Sequence, residues 1–230
     1  MTELAALTSP RAGELAAGGA LLAVPVGATE QHGPHLPLST DTDLAVALCA
    51  RLAAGRPRVL AAPPLAYGAS GEHQDFPGTL SIGAEAMELL LIELCRSATR
   101  TFSRVLVVST HGGNAGPVRR AERRLRAESR DILAWLPAWA GDAHAGRAET
   151  SLELALAPDR VRPGRAEAGN TRPLTELMPE LRRSGVRAVS PNGVLGDPAG
   201  ASAADGAALL ARLTADLLAT VDAWEAGPTP

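Results

Sequence analysis

The apolar positions of this chain switch repeatedly between two periods. Four short runs are continuously apolar or β-branched: LLAVPV at about 20–26, RVLAAP at 58–63, RVLVVST at 104–110 and DILAWLP at 131–137. Runs of that length and composition predict strands buried on both faces. Between and after them the spacing becomes helical. Leu44, Leu48 and Leu52 mark a helix through about Ala54, capped by Thr42 or Asp41. Met87, Leu90, Leu91, Leu94 and Ala98 share one face of a helix over 84–101. A third helix at 117–129 turns Arg119, Arg120, Arg123 and Arg124 to solvent, AETSLELALA forms a fourth, and Leu209, Leu210, Leu213, Leu217 and Val221 face inward on a fifth at 201–225. Residues 1–19 read as a short helix or a loosely held arm, 163–200 as loop-rich, and 226–230 as a frayed tail. Strand alternating with helix predicts one α/β domain over 1–230, with a mostly parallel central sheet flanked by helices. In such a sheet the chemistry collects at the C-terminal strand ends.

Composition narrows the function. Apolar residues make up 46% of the 230 and aromatics only 3%, so Ala, Leu and Val must pack one sizeable core. The net charge is -3 with no basic cluster, which argues against nucleic acid and against a polybasic membrane surface. No apolar run reaches the ~18 residues of a membrane span, and the N-terminus lacks a signal-peptide pattern, so a soluble cytoplasmic protein is expected. Cys49 and Cys95 fall in apolar helical patterns and read as buried free thiols. All 22 basic residues are arginine, which removes Schiff-base, pyridoxal-phosphate and P-loop lysine chemistry.

The candidate chemistry begins where the first strand ends. The stretch VGATEQHGPHLPLSTDTD crowds Glu30, His32, His35, Asp41 and Asp43 among prolines and a glycine. In extended chain Glu30 and His32 point the same way, about 6.6 Å apart. The Pro- and Gly-rich segment that follows can fold back and bring Asp41 beside them. Carboxylate and imidazole together suit zinc, iron or manganese, whereas magnesium and calcium prefer oxygen alone.

All five histidines, His32, His35, His73, His111 and His144, lie in Gly- or Pro-rich loops, the reverse of core histidines. His111 follows the clearest buried strand and reads as a ligand, or else as a helix cap. Glu149 opens a helix beside the His144 loop, as a ligand or as a carboxylate answering the helix dipole. Glu30, His32, Asp41, His111 and Glu149 exceed what one open zinc site needs. Five ligands with a bridging Asp suit two divalent ions holding a hydroxide between them, with His144 as the proton shuttle for a leaving amine. Glu72, His73 and Asn114 are candidates for orienting substrate, with Glu72 and His73 alternatively bridging subunits. The loop over 64–83 is long enough to wall an open site.

The strings VGATEQHGPHLPLSTDTD, YGASGEHQDFPGTLSIG, STHGGNAG and DAHAGRAETS resemble, in order and across most of the chain, the creatininase family of metal-dependent amidohydrolases. The resemblance implies a three-layer creatininase-like fold, a two-metal centre, hydrolysis of an amide C–N bond and a homo-oligomer. It matches Glu30, His32, Asp41 and His111 to the metal positions, Asp41 as the bridge, and His144 to the acid/base histidine. One position departs: creatininase proper has a Glu two residues after its third-motif His, and here Gly113 stands there. The missing carboxylate then comes from Glu149, and creatinine is not the expected substrate. YGASGEHQ, AGNTRPLTELMP and RRSGVRAVSPNGVLGDPAGA are similar to the mycofactocin-system branch of the family. That likeness implies a peptidase acting on a modified precursor peptide, releasing its C-terminal Val-Tyr unit, with iron and zinc as the metals and manganese as a third choice. The alternatives are a creatininase-like hydrolase of a small cyclic amide or formamide, and a non-catalytic binding subunit.

Overall fold

A computed structural model describes residues 2–138 and 141–227. Five strands form one sheet: β1 (Thr2–Glu3), β2 (Leu21–Val26), β3 (Val59–Ala61), β4 (Arg104–Ser109) and β5 (Asp131–Trp135), in the order β1-β3-β2-β4-β5. Every pairing is parallel, with Leu22 opposite Leu60 on one side and Val105 on the other. All six residues of β2 are buried, as a strand covered on both faces requires.

Among the described residues the α-helices are α1 (Ser9–Ala17), α2 (Thr40–Gly55), α3 (Ala84–Ala98), α4 (Ala115–Ala127), α5 (Arg147–Leu156), α6 (Leu174–Val189) and α7 (Ala203–Ala226). The alternating side chains of β2 divide the core. Leu22, Val24 and Val26 join Met87 and Leu91 of α3 and Val118 and Leu125 of α4. Leu21 and Ala23 join Leu48 and Leu52 of α2, Leu152 of α5 and Leu213 and Leu217 of α7 on the other face. Helix, sheet and helix thus stack in three layers. Cys49 and Cys95 are buried free thiols, one in each core. No helix among the described residues is long and apolar enough to cross a membrane.

Several local expectations change. Residues 2–19 hold the short helix, α1, and are no loose arm: β1 extends the sheet, and Leu4, Leu7 and Leu15 pack against the core. Leu90 points outward, and Ile92 and Cys95 fill the inner face of α3 instead. The region expected to be loop-rich contains α6, whose Leu177, Leu181 and Val186 form a small core with Leu195. Pro179 inside it disguises the helix in the sequence, and Gly185, with φ 73°, kinks the segment into two helical pieces. Residues 228–230 of the expected frayed tail lie outside the described residues.

Candidate metal centre

The polar residues collect where β2 and β4 diverge. From β2 the chain passes through α2 to β3 on one side, and from β3 through α3 to β4 on the other, so the C-terminal ends of β2 and β4 flank a topological switch point. Glu30 and His32 follow β2, His111 follows β4, and the loop after β5 carries His144. Asp41 sits in the first turn of α2, behind Ser39, whose hydroxyl donates to Asp43 Oδ2 at 2.7 Å. Glu149 sits in the first turn of α5. Both acids complement the positive end of a helix.

Packing brings these six residues into one cluster. Asp41 Oδ1 lies 3.8 Å from His32 Nε2, and its Oδ2 lies 3.5 Å from His111 Nδ1. Glu30 Oε2 is 3.2 Å from His111 Nε2, and Glu149 Oε2 is 3.9 Å from His32 Nε2. His144 Nδ1 faces Glu30 Oε1 at 3.9 Å and Glu149 Oε2 at 4.0 Å. Three groups of ligand atoms lie close enough to share an ion: Glu30, Asp41 and His111; His32, His144 and Glu149; and Glu30, His73 and His144.

Burial makes this arrangement costly on its own. Glu30 and His32 are fully buried, yet both Glu30 oxygens, His32 Nε2 and Asp41 Oδ2 have no hydrogen-bond partner of acceptable geometry. Unpartnered buried carboxylates are destabilising, and a shared cation is the usual remedy. The spacing agrees, since ligands ~2.0–2.1 Å from one zinc ion stand roughly 3.3 Å apart.

The acid–base state follows the same logic. Burial alone would lower the pKa of His32, but Asp41, Glu149 and Glu30 outweigh it and hold the imidazolium up to about 10. His111 is held up to about 10 against burial by Glu30, Asp41 and Glu72. Glu30 resists the upward push of burial because His111, His73 and His32 keep it well below the usual carboxylate range. Protons on His32 and His111 therefore do the neutralising work of a cation. Burial pushes His73 down to about 4 and His144 well below its ordinary value, so both are neutral imidazoles near pH 7. Burial raises Glu149.

The His144 loop is held under local strain. Ala145 adopts φ 53°, a conformation a non-glycine residue rarely takes, and its N–H donates to Glu149 Oε2 at 2.5 Å. His144 itself pairs through its backbone with Leu195. His144 Nε2 lies 2.8 Å from the Gln31 carbonyl oxygen. A carbonyl only accepts, so Nε2 carries the proton and Nδ1 presents its lone pair to the cluster.

The remaining candidates divide. Glu72 and His73 sit on a short 3-10 turn, Gly71–His73, and line a cavity of about 910 Å3 with His111, His144, Met178 and Arg182. Asn114 does not face that cavity: its Oδ1 accepts from Ala69 N–H and its Nδ2 donates to the Gly27 carbonyl, both at 2.9 Å. Its amide, fully buried, ties two loops together. His35 also stands apart, with Nε2 2.9 Å from the Thr150 hydroxyl. At Gly113 a Cβ would come within 2.3 Å of the Ala69 carbonyl oxygen, 2.4 Å of His111 Nε2 and 2.5 Å of Glu72 Oε1, so no side chain fits where creatininase proper carries Glu. Gln31 and Glu153, which the sequence reading passes over, are buried beside the cluster. Gln31 was hidden between two more conspicuous residues, and Glu153 looks like one more acid on an amphipathic helix.

Residues 5–221 match the family model described as Creatininase: Creatinine amidohydrolase. The chain is 50% identical over 215 residues, 89% of its own length and 86% of the relative's, to a protein from Mycobacterium ulcerans (strain Agy99) named mycofactocin precursor peptide peptidase. Among solved structures it superposes on creatinine amidohydrolase (creatininase) with a TM-score of 0.81 at 27% identity, covering 99% of both chains. A second, described as Creatininase Mn, gives a TM-score of 0.80 at 26% identity, again covering 99% of each.

Proposed function

The chain belongs to the creatininase family of hydrolases, and from that premise we propose that it is a dinuclear metal-dependent peptidase. Its substrate in this reading is the modified mycofactocin precursor peptide, from which it releases the C-terminal Val-Tyr-derived unit. The observation that carries the reading is the buried, unpartnered cluster of carboxylates and imidazoles below a cavity of about 910 Å3. The relative named for that peptide supplies the substrate.

Glu30, Asp41 and His111 would hold one ion, and His32, Asp41 and Glu149 the other. Asp41 is the shared residue because its two oxygens face different imidazoles. Glu149 takes the place of the absent carboxylate at Gly113, since it groups with His32 whereas Glu72 joins no ligand group. Two divalent ions bound there would supply a water of near-neutral pKa and a Lewis acid for the scissile carbonyl. His144 Nδ1, lone pair facing the cluster, takes a proton from the attacking side and returns it to the departing nitrogen. Glu72, partly open to solvent beside His111, contacts the peptide from the cavity wall. We assign iron and zinc as the ions, with manganese as the alternative that a structural neighbour's description carries. A cytoplasmic homo-oligomer is the acting form in this reading.

The test is mass spectrometry of the modified precursor peptide incubated with anaerobically purified protein, alongside elemental analysis. The expected result is near two metals per chain and loss of the C-terminal unit, both lost in His111→Ala. Two metals with an untouched peptide would move the substrate to a small cyclic amide or formamide. Unchanged metal content and turnover in His111→Ala would overturn the hydrolytic centre itself.

A further inference from the structure

Gln31 sits between Glu30 and His32, is 5% exposed, and has every polar atom of its side chain engaged. The amide has a determined orientation. Gly33 N–H donates to its Oε1 at 2.9 Å, and its Nε2 donates to the Gly193 carbonyl at 3.0 Å. Exchanging oxygen and nitrogen would set donor against donor and acceptor against acceptor. Gly193 has φ 82°, and a Cβ there would fall 2.0 Å from Gln31 Oε1, so only glycine permits this approach.

With one N–H given to Gly193, Gln31 has one left. It lies 2.8 Å from His73 Nδ1 and 3.1 Å from His144 Nε2. His144 Nε2 already carries a proton for the Gln31 carbonyl, at 2.8 Å, so it cannot accept. The remaining N–H therefore goes to His73 Nδ1. A neutral imidazole that accepts at Nδ1 is protonated at Nε2, and His73 Nε2 lies 3.5 Å from Glu30 Oε1.

We propose that Gln31 is a positioning residue that sets both imidazoles facing Glu30: its side chain places the His73 proton on Nε2, the atom 3.5 Å from that carboxylate, and its carbonyl leaves the Nδ1 lone pair of His144 free. Two consequences follow. In the group of Glu30, His73 and His144, the His73 nitrogen that faces Glu30 bears a proton and is closed to a metal ion. His73 steadies Glu30 Oε1 from outside, and Oε2 remains for the ion shared with Asp41 and His111. Only the effect on turnover rests on the peptidase reading; the tautomers do not.

The experiment is long-range 1H–15N NMR of the full chain with 15N-labelled histidine, loaded with zinc, near pH 7. In the native protein His73 is expected to be protonated at Nε2 and bare at Nδ1. In Gln31→Glu, which keeps the shape but replaces the donor with an acceptor, the His73 proton is expected to move to Nδ1. The His144 proton stays on Nε2, because a main-chain carbonyl holds it. Turnover of the peptide is expected to fall roughly 10–100-fold, mainly in kcat, the range typical of residues that orient metal ligands. A native His73 protonated at Nδ1, or a His73 tautomer unmoved in Gln31→Glu, overturns the proposal. The native spectrum decides even if the variant fails to fold. If the peptide is untouched by every form, the peptidase reading fails while the spectra still judge Gln31.

Discussion

At the N-terminal edge of the sheet, Arg104 at the start of β4 meets Asp131 at the start of β5 at 3.0 Å. Nearby, Arg130 and Arg124 both reach Glu128, at 3.1 and 3.3 Å, and Arg96 joins them. These pairs border a polar depression of about 770 Å3. At the C-terminal edge, acids again meet bases beside a cavity, but the bases are histidines and the groups are buried. The difference lies in the proton. Arginine keeps its charge throughout the working range, so its pairs are complete, solvated and structural. Histidine can give its proton up, and a buried carboxylate facing histidines is left able to accept a metal instead. Charge density alone does not mark a site; burial combined with removable charge does.

The comparison is broken most severely at Asp41. Asp41→Ala removes the carboxylate that faces both His32 and His111, and turnover of the peptide is expected to fall by more than the ~100-fold that outer partners of a metal site cost. Metal per chain, read by elemental analysis, should fall with it. Retention of two ions would refute the shared role.

Glu153 offers a subtler test, because it is a buried acid near the cluster that forms no ion pair with an arginine among the described residues. It is 1% exposed, both oxygens lack partners, and burial with the nearby Asp43 raises it to about 7 despite Arg160. The folded protein therefore favours the protonated acid. Its stabilising contribution is complete below the ordinary carboxylate range, and is lost as pH rises through about 7. Glu153→Gln is expected to be more stable than the native chain at pH 8 by about 1–2 kcal/mol, with little difference at pH 4. Chemical denaturation at the two pH values measures it, and equal differences at both would count against a buried neutral acid.

The smallest effect belongs to the N-terminal edge. Arg104→Ala breaks an ion pair whose arginine is 32% exposed and is expected to cost under about 1 kcal/mol. Metal content and turnover should stay at native values. A loss of metal in this variant would mean that the two ends of the sheet are coupled.

Much of this architecture is legible in local pattern, because strand burial and helix spacing depend on residues close in the chain. Leu44, Leu48 and Leu52 could be read as one buried face, and His111 as a residue held at a strand end. The helical segment α6 could not, since Pro179 is a breaker in any local reading and only packing on Leu195 shows why the segment is helical on either side of its kink at Gly185. The hydrogen bonds of Asn114 were illegible for the same reason: its partners, Ala69 and Gly27, lie 45 and 87 residues away.

By itself the sequence determined the chemical inventory and its coarse address: an arginine-only basic set, histidines confined to loops, and acids placed after strands that must be buried. Those properties are local, fixed by residue identity and by periods of two and 3.6. Which atom faces which was decided by the tertiary structure alone. Asp41 turns one oxygen to each of two imidazoles, and Gln31 meets a carbonyl 162 residues away, because the sheet order sets the loops around one switch point. Hydrogen-bond direction is settled only when all partners are present, and in this site they come from stretches far apart in the chain.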